Sequence, residues 1–195
     1  MGGGIALQRA DETERGIARD EDALRELMRR YQGGDPVAVE DLVRRLSPSF
    51  LSFLSGPLVS RSDADDLLQE CWLRIHRSRH AYNATEPLLP WIFSIARHTR
   101  LDGYRRRRRH LLREVLVEKL PERAPTPECV WGSHVMKLLD RLPEAQREVV
   151  VMLKVSGMTL EDVAHATASS VGSVKQKAHR AYARLRQLLE LEGEK

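Results

Sequence analysis

Apolar residues recur every three or four positions along most of this chain, and they nowhere alternate with polar residues over the length of a strand. The first such series runs from Leu24 to Tyr31 and would occupy one face of a helix. A chain of 195 residues is long enough for one domain, or for two small domains with modest cores. The pattern therefore predicts an all-α protein.

A cluster of prolines divides the helical pattern. Pro121, Pro125 and Pro127 stand close together, and proline removes helical hydrogen bonds and favours extended backbone. We therefore expect two small helical domains joined by a proline-containing linker. The expected divisions are a flexible extension at 1–20, an N-terminal helical domain at 21–110, a linker at 111–130 and a C-terminal helical domain at 131–192.

The positive charge of the chain is concentrated in one segment. The net charge is +4, and the stretch from Arg97 to Arg113 holds eight arginines against Asp102 alone. Such a density of cations can neutralise several phosphates and release their counterions. The segment therefore favours a nucleic acid as partner, although a solvated basic surface or a targeting signal has the same composition.

Several other classes of protein are disfavoured. Cys71 and Cys129 form no disulfide framework, and Cys129 with His134 lacks the second pair of ligands that a zinc site needs. No apolar run is long enough to span a membrane, and Met1 to Leu7 is too short for a secretory signal. We expect a cytoplasmic protein without metal, cofactor, small-molecule substrate or membrane insertion.

Turn and cap residues mark the helices of the N-terminal half. Ser62 followed by Asp65 is close to a capping box and would open one helix, while Pro90 suits the first residue of another. The pair Ser47-Pro48 would end or restart the helix before them. Trp72 lies in the apolar stripe, so a role as a core anchor explains it better than a functional one.

The segment from Thr159 to Leu189 has the pattern of a helix-turn-helix. Ala164 stands where two helices cross closely, Val174 stands at the buried site of the second helix, and Ser170 can cap that helix. The turn at 167–169 lacks the glycine that would ease a left-handed conformation. A helical hairpin with a solvated basic face is the alternative. The outward face carries side chains that can bind base edges or phosphates: Ser173, Lys175, Gln176, Lys177 and Arg180.

Four motifs in this order resemble a bacterial RNA polymerase sigma factor of the extracytoplasmic function (ECF) group, the two-domain group 4 class of sigma-70-like factors. The match extends over roughly residues 22 to 191. The motifs are Asp65 to Glu70, Trp91 to Arg97 followed by Asp102 and Arg105, Leu142 to Val149, and Ser170 to Lys175. His98 replaces an Asn that is usual in the family, and Leu89 replaces a frequent Arg.

The resemblance implies a function for each domain. The N-terminal domain would be region 2, with acceptors that dock on the β′ clamp helices of core RNA polymerase: Asp65, Asp66, Gln69 and Glu70. Its next helix and the loop before that helix would capture an unpaired base of the promoter −10 element. The −10 candidates are Asn83, Trp91, Arg97, His98, Arg100, Arg105 and Arg106.

The C-terminal domain would be region 4. By the resemblance it reads the −35 element with the outward face of its second helix and contacts the β flap of polymerase. The linker would thread toward the RNA exit path. The resemblance also implies control by an anti-sigma factor that covers both domains.

Two other functions remain open at this point. A sigma-like decoy would sequester an anti-sigma factor without binding DNA, but such decoys normally carry a receiver domain, for which 195 residues leave no room. A nuclease or recombinase would need clustered carboxylates or an activated nucleophile. Asp65, Asp66 and Glu70 are grouped on one helical face without a matching histidine, which favours a docking face.

Overall fold

The computed structural model describes residues 21–56, 59–113 and 133–193, and none of these residues forms a strand. Eight α-helices are found in these ranges, so the all-α prediction is confirmed. The first 20 residues and most of the expected linker lie outside the described residues. The helices are α1 (21–32), α2 (Pro36–Leu54), α3 (Arg61–Ser78), α4 (Leu88–Arg113), α5 (Ser133–Leu139), α6 (Glu144–Val150), α7 (Leu160–Ala166) and α8 (Val171–Gly193).

The turn between α1 and α2 follows from its sequence. Gly34 has a φ of 88°, which a residue with a Cβ atom rarely adopts. Asp35 caps α2 by accepting hydrogen bonds from the amides of Val37 and Ala38. Pro36 then occupies the first turn, where its missing N–H costs nothing.

The expected break at Ser47-Pro48 is wrong, because α2 continues through Pro48 to Leu54. A proline inside a helix costs about 3 kcal/mol through a lost hydrogen bond and a steric clash. Burial of the apolar face on both sides of the proline offsets that cost, since Leu46 and Phe50 are both buried.

Helix α3 begins two residues before its expected capping box. Ser60 is the N-cap, and its hydroxyl and the carboxylate of Asp63 satisfy each other's backbone amides. The Ser-x-x-Asp pattern occurs twice in succession here, and the earlier copy forms the box. The buried face of α3 carries Ala64, Leu67, Cys71 and Ile75.

Helix α4 crosses α3 at short distance. A Cβ atom built on Gly103 would lie 2.6 Å from a terminal methyl carbon of Leu67. The glycine therefore has a packing role that offsets its poor helix propensity. At its other end α4 begins at Leu88, two residues before the expected start at Pro90, and the carboxylate of Glu21 caps it by accepting a hydrogen bond from the amide of Leu88.

The C-terminal helices form the predicted helix-turn-helix. Helix α6 continues as a wider π-helical turn through Val151–Val155 and ends before Gly157, whose φ is 67°. Thr159 and Asp162 form a capping box at the start of α7. Ala168 takes a φ of 50° in the turn, and the hydroxyl of Ser170 accepts a hydrogen bond from the amide of Ser173 at the start of α8.

The two helical units pack against each other. Helix α4 of the N-terminal unit contacts α7, and α2 contacts the π-helical turn. One continuous set of buried apolar residues extends through both units, including Phe53 and Phe93 on one side and Met152 and Val163 on the other. The sequence alone does not indicate this arrangement.

Candidate functional site

The acidic face of α3 is open to solvent. Asp65, Asp66 and Gln69 are exposed, and Glu70 is partly exposed one turn further along the same face. Leu73 continues this face and is itself exposed, although it is a large apolar residue. Acceptor groups beside an exposed apolar side chain suit a partner surface that presents basic and apolar groups.

Arg74, which lies on α3 itself, neutralises part of this acidic face. Its Nε donates to Glu70 at 2.8 Å, and its Nη1 donates to Asp102 of α4 at 2.9 Å. These hydrogen bonds lower the pKa of Glu70 and of Asp102. Asp65 and Asp66 therefore carry the more accessible negative charge.

Three of the predicted −10 residues lie in the loop before α4 and in the first three turns of that helix. Asn83 is exposed and its side-chain oxygen accepts a hydrogen bond from the amide of Thr85. Trp91 is half-buried against Tyr82, with 5.2 Å between ring centroids. His98 is exposed, and its Nδ1 donates to the carbonyl oxygen of Ser94.

The middle of α4 is a basic surface with an exposed aromatic ring. Arg105 and Arg106 are exposed, and Arg105 lies 3.7 Å from Asp102 in an ion pair. Tyr104 is 58% exposed beside them. Arginines next to an open aromatic ring can bind phosphates and stack on bases.

Two other predicted −10 residues are covered by the C-terminal unit. Arg97 donates from Nε to Glu148 of α6 at 2.8 Å. Arg100 is 7% exposed and its Nη2 lies 2.6 Å from Glu144, also on α6. A contact between DNA and Arg100 would require separation of α4 from α6.

The outward face of α8 is accessible over its first three turns. Lys175, Gln176 and Arg180 are exposed, while Ser173 and Lys177 are partly exposed. The opposite face is buried at Val174, Ala178 and Ala181. This division leaves the polar stripe free to enter a groove while the apolar stripe holds the helix to its unit.

Comparisons with known proteins identify both units. The family model for Sigma-70 region 2 matches residues 42–110, and the model for Sigma-70, region 4 matches residues 134–185. The RNA polymerase sigma factor CarQ of Myxococcus xanthus is 32% identical over 86% of this chain and 98% of its own length. The chain belongs to the ECF family of RNA polymerase sigma factors. Such factors have no catalytic chemistry of their own and act in transcription initiation.

Other relatives extend this result. The ECF sigma factor SigF of Caulobacter vibrioides is 31% identical to this sigma factor over 83% of the chain and 90% of its own length. Among solved structures, CnrH in complex with the cytosolic domain of CnrY has a TM-score of 0.64 at 24% identity. That match covers 86% of this chain and 97% of the other, and it shows the shared fold.

Sequence reasoning missed four charged residues that form hydrogen bonds or ion pairs between the helices of this sigma factor. Arg74 joins α3 to α4, and Glu144, Arg147 and Glu148 join α6 to the N-terminal unit. The spacing of Glu144 and Glu148, one turn apart, indicates a shared helical face, but sequence alone does not show which arginines face them.

Neither a cluster of metal ligands nor a helix able to span a membrane is found in the described part of the chain. Residues 21–56, 59–113 and 133–193 contain no group of His, Cys, Asp and Glu side chains that could hold a metal ion. Cys129 lies outside these ranges. None of the helices described there is both long and apolar enough to cross a bilayer.

Proposed function

We propose that this sigma factor binds core RNA polymerase in the cytoplasm and directs it to promoters through a −10 and a −35 element. The accessible polar stripe of α8 is the observation that carries the proposal. This stripe presents hydrogen-bonding and cationic groups on the exposed face of a helix whose opposite face is buried. Reading the major groove requires such a face.

We assign residues 21–110 to region 2 and residues 131–192 to region 4, with 111–130 as the linker. Within region 4, Gln176 and Arg180 lie one turn apart on the exposed face, where they can reach base edges. Lys175 lies to the side and suits a phosphate contact. Ser173 and Lys177 complete the surface.

Region 2 would capture an unpaired promoter base at the loop before α4. Asn83 and His98 supply exposed hydrogen-bonding groups, and Trp91 supplies an aromatic ring that is accessible in part. Arg105 and Arg106 would hold the neighbouring phosphates, since both are exposed on the same helix. Arg97 and Arg100 join this surface once α6 has moved away.

The acidic face of α3 is the proposed docking site for the β′ clamp helices. Its carboxylates and amide accept hydrogen bonds, so a basic partner helix would complement them. For region 4 we propose a contact with the β flap.

We further propose control by an anti-sigma factor. The sigma factor RpoE has been solved in complex with the anti-sigma factor NepR from Bartonella quintana, and it covers 77% of this chain with a TM-score of 0.64. The alternative of a decoy finds no support among the relatives, which are named as sigma factors.

Run-off transcription tests the proposal directly. Purified core polymerase would be combined with this chain on fragmented genomic DNA from the source organism, with core polymerase alone as the control. We expect discrete start sites preceded by two shared sequence elements at −10 and −35. Start sites that are no different from those of core polymerase alone would reject the proposal.

A further inference from the structure

The contact between region 2 and region 4 is built around the arginines of α4. Arg97 binds Glu148, and the guanidinium of Arg100 lies between Glu144 at 2.6 Å and Glu148 at 3.9 Å. The same guanidinium rests over the ring of Phe53, 4.5 Å from its centroid. A forked guanidinium binds a carboxylate and a phosphate with the same donors. Glu144 and Glu148 therefore bind the same guanidinium groups that would bind the phosphates of DNA.

Arg147 closes the contact from the region 4 side. It is 1% exposed, and its Nη2 and Nη1 donate to the carbonyl oxygens of Ser52 at 2.9 Å and Phe53 at 3.4 Å. These carbonyls lie in the last turn of α2, where they lack partners within the helix. The amide that would bind Phe53 belongs to Pro57, which has no N–H. A cation is also favourable at this end of the helix dipole.

The contact is specific but incompletely packed. A cavity of about 360 Å³ lies between the two regions, lined by Leu24, Leu89 and Phe93 of region 2 and by Val155 and Ser156 of region 4. The residues that line this cavity are in part open to solvent, so they contribute less to holding the two regions together than the buried apolar residues that the regions share. The charged groups of the contact, Arg97, Arg100, Glu144 and Glu148, regain water on separation, which offsets part of the cost of breaking their ion pairs.

The closed arrangement does not fit a promoter. The names of the −10 and −35 elements place them about 25 base pairs apart, which is about 85 Å along a duplex. A compact chain of 195 residues is only about 40 Å across. The two regions must therefore separate before both elements can be bound.

We infer that region 2 carries an interaction surface for region 4 of the same chain, formed by Arg97, Arg100 and the carbonyl end of α2. In the free protein, Glu144 and Glu148 occupy this surface and compete with promoter DNA. The inference rests on the proposed function, because it takes Arg97 and Arg100 to be DNA contacts. It adds that the unbound sigma factor holds its own −10 surface closed.

The test neutralises the two carboxylates in the full-length protein. The variant Glu144→Gln with Glu148→Gln is compared with Glu161→Gln with Glu190→Gln, which changes the net charge equally at exposed sites of region 4. Small-angle X-ray scattering gives the radius of gyration. Fluorescence anisotropy gives the affinity for a labelled 20-nucleotide single strand of mixed sequence, a length of about 20 nucleotides being enough to cover one groove.

We expect the first variant to be more expanded than the control and to bind the strand more tightly. A protein that is closed about nine-tenths of the time gains about tenfold in apparent affinity when it opens fully. Glu144→Gln alone, at an exposed side chain, should give an intermediate gain and guards against misfolding of the double variant. Adding Arg97→Gln to the double variant should remove part of the gain.

Two results would overturn the inference. One is equal size and equal affinity in the variant and the control. The other is expansion without tighter binding, which would mean that the contact holds the regions together but does not compete with DNA. Run-off transcription by the unaltered chain is measured in parallel. A chain that directs transcription but shows no effect of Glu144 and Glu148 loses this inference alone, and a chain that opens but directs no transcription loses only the proposed function.

Discussion

Arg74 and Asp102 form a hydrogen bond of 2.9 Å that joins the polymerase-docking helix α3 to the DNA-binding helix α4. The same guanidinium binds Glu70 on α3. One side chain thus connects the two proposed binding faces of region 2. The residues are partly exposed, so we assign the pair a positioning role and only a small contribution to stability.

This network predicts a specific dependence of stability on pH. The hydrogen bonds from Arg74 lower the pKa of Glu70 and of Asp102 in the folded protein. Groups with a depressed folded pKa stabilise the protein above their unfolded pKa, and this contribution is lost as the pH falls through the folded pKa. Arg74→Ala should therefore lower the free energy of unfolding at pH 7 by at most about 1 kcal/mol, and the difference should shrink as the pH falls below the ordinary pKa values of Asp and Glu, about 4.

Urea denaturation at pH 7 and at pH 3 measures this difference. Arg184→Ala, at an exposed arginine of α8, is the control and should show no such change with pH. A deficit of Arg74→Ala that is equally large at both pH values would contradict the pKa argument.

The turn of the helix-turn-helix gives a second prediction. Ala168 is exposed with a φ of 50°, a conformation that costs a residue with a Cβ atom about 1–2 kcal/mol. Glycine avoids this cost but loses about 0.4–1 kcal/mol through the greater freedom of the unfolded chain. Ala168→Gly should therefore stabilise region 4 by about 0.5–1 kcal/mol, seen as a thermal midpoint a few degrees higher.

The matched control is Ala183→Gly, at an exposed position inside α8. There the backbone is helical, so glycine should destabilise the protein by about 1 kcal/mol. If both substitutions lower the midpoint, the left-handed turn at Ala168 carries no relievable strain.

These positions show what the sequence could predict. The left-handed turn at 167–169 without a glycine and the Ser170 cap were both anticipated, because each depends on residues within a few positions of one another. The start of α3 was misplaced because two overlapping Ser-x-x-Asp patterns compete locally. The course of α2 through Pro48 was missed because tertiary burial outweighs local propensity.

The contact between the regions was beyond sequence reasoning for a different reason. Arg147 and Phe53 are far apart in the chain, and no periodicity links them. Gly103 is an intermediate case: its presence in a helix signals a special role, but only the position of Leu67 explains it. The candidate surfaces on α3 and α8 could be predicted because their residues share one helix each.

Cys71 should be chemically inert in the native protein. It is fully buried, and burial raises the pKa of its thiol to about 12. The thiolate is the reactive form, so at pH 8 its population falls by roughly 10³ relative to a free cysteine with a pKa near 8.5. In a Cys129→Ser variant, labelling by a disulfide reagent at pH 8 should be slower by about that factor than in guanidinium. Labelling at similar rates in both conditions would exclude a buried thiol.

The acidic face of α3 predicts the strength of polymerase binding. Asp65 and Asp66 are exposed, whereas Glu70 is bound by Arg74. Asp65→Lys with Asp66→Lys should reduce co-purification with core polymerase by about tenfold or more, since like charges across an interface cost several kcal/mol. Glu40→Lys on α2 provides a control for a carboxylate outside the proposed face. Equal retention of both variants on core polymerase would reject α3 as the docking site.

The outward face of α8 gives the last prediction. Lys177→Ala with Arg180→Ala should lower transcription from a promoter with a −35 element by about 10- to 100-fold, because contacts to bases and phosphates contribute about 1–3 kcal/mol each. Binding to core polymerase should be unchanged, since these residues lie on a different helix from the acidic face. The control, Lys154→Ala with Arg186→Ala, removes the same charge at exposed sites outside the reading surface. Because both double variants lose the same charge, a difference in their transcription from this promoter must come from a reading surface at Lys177 and Arg180. Unchanged promoter choice by the first variant would refute that surface.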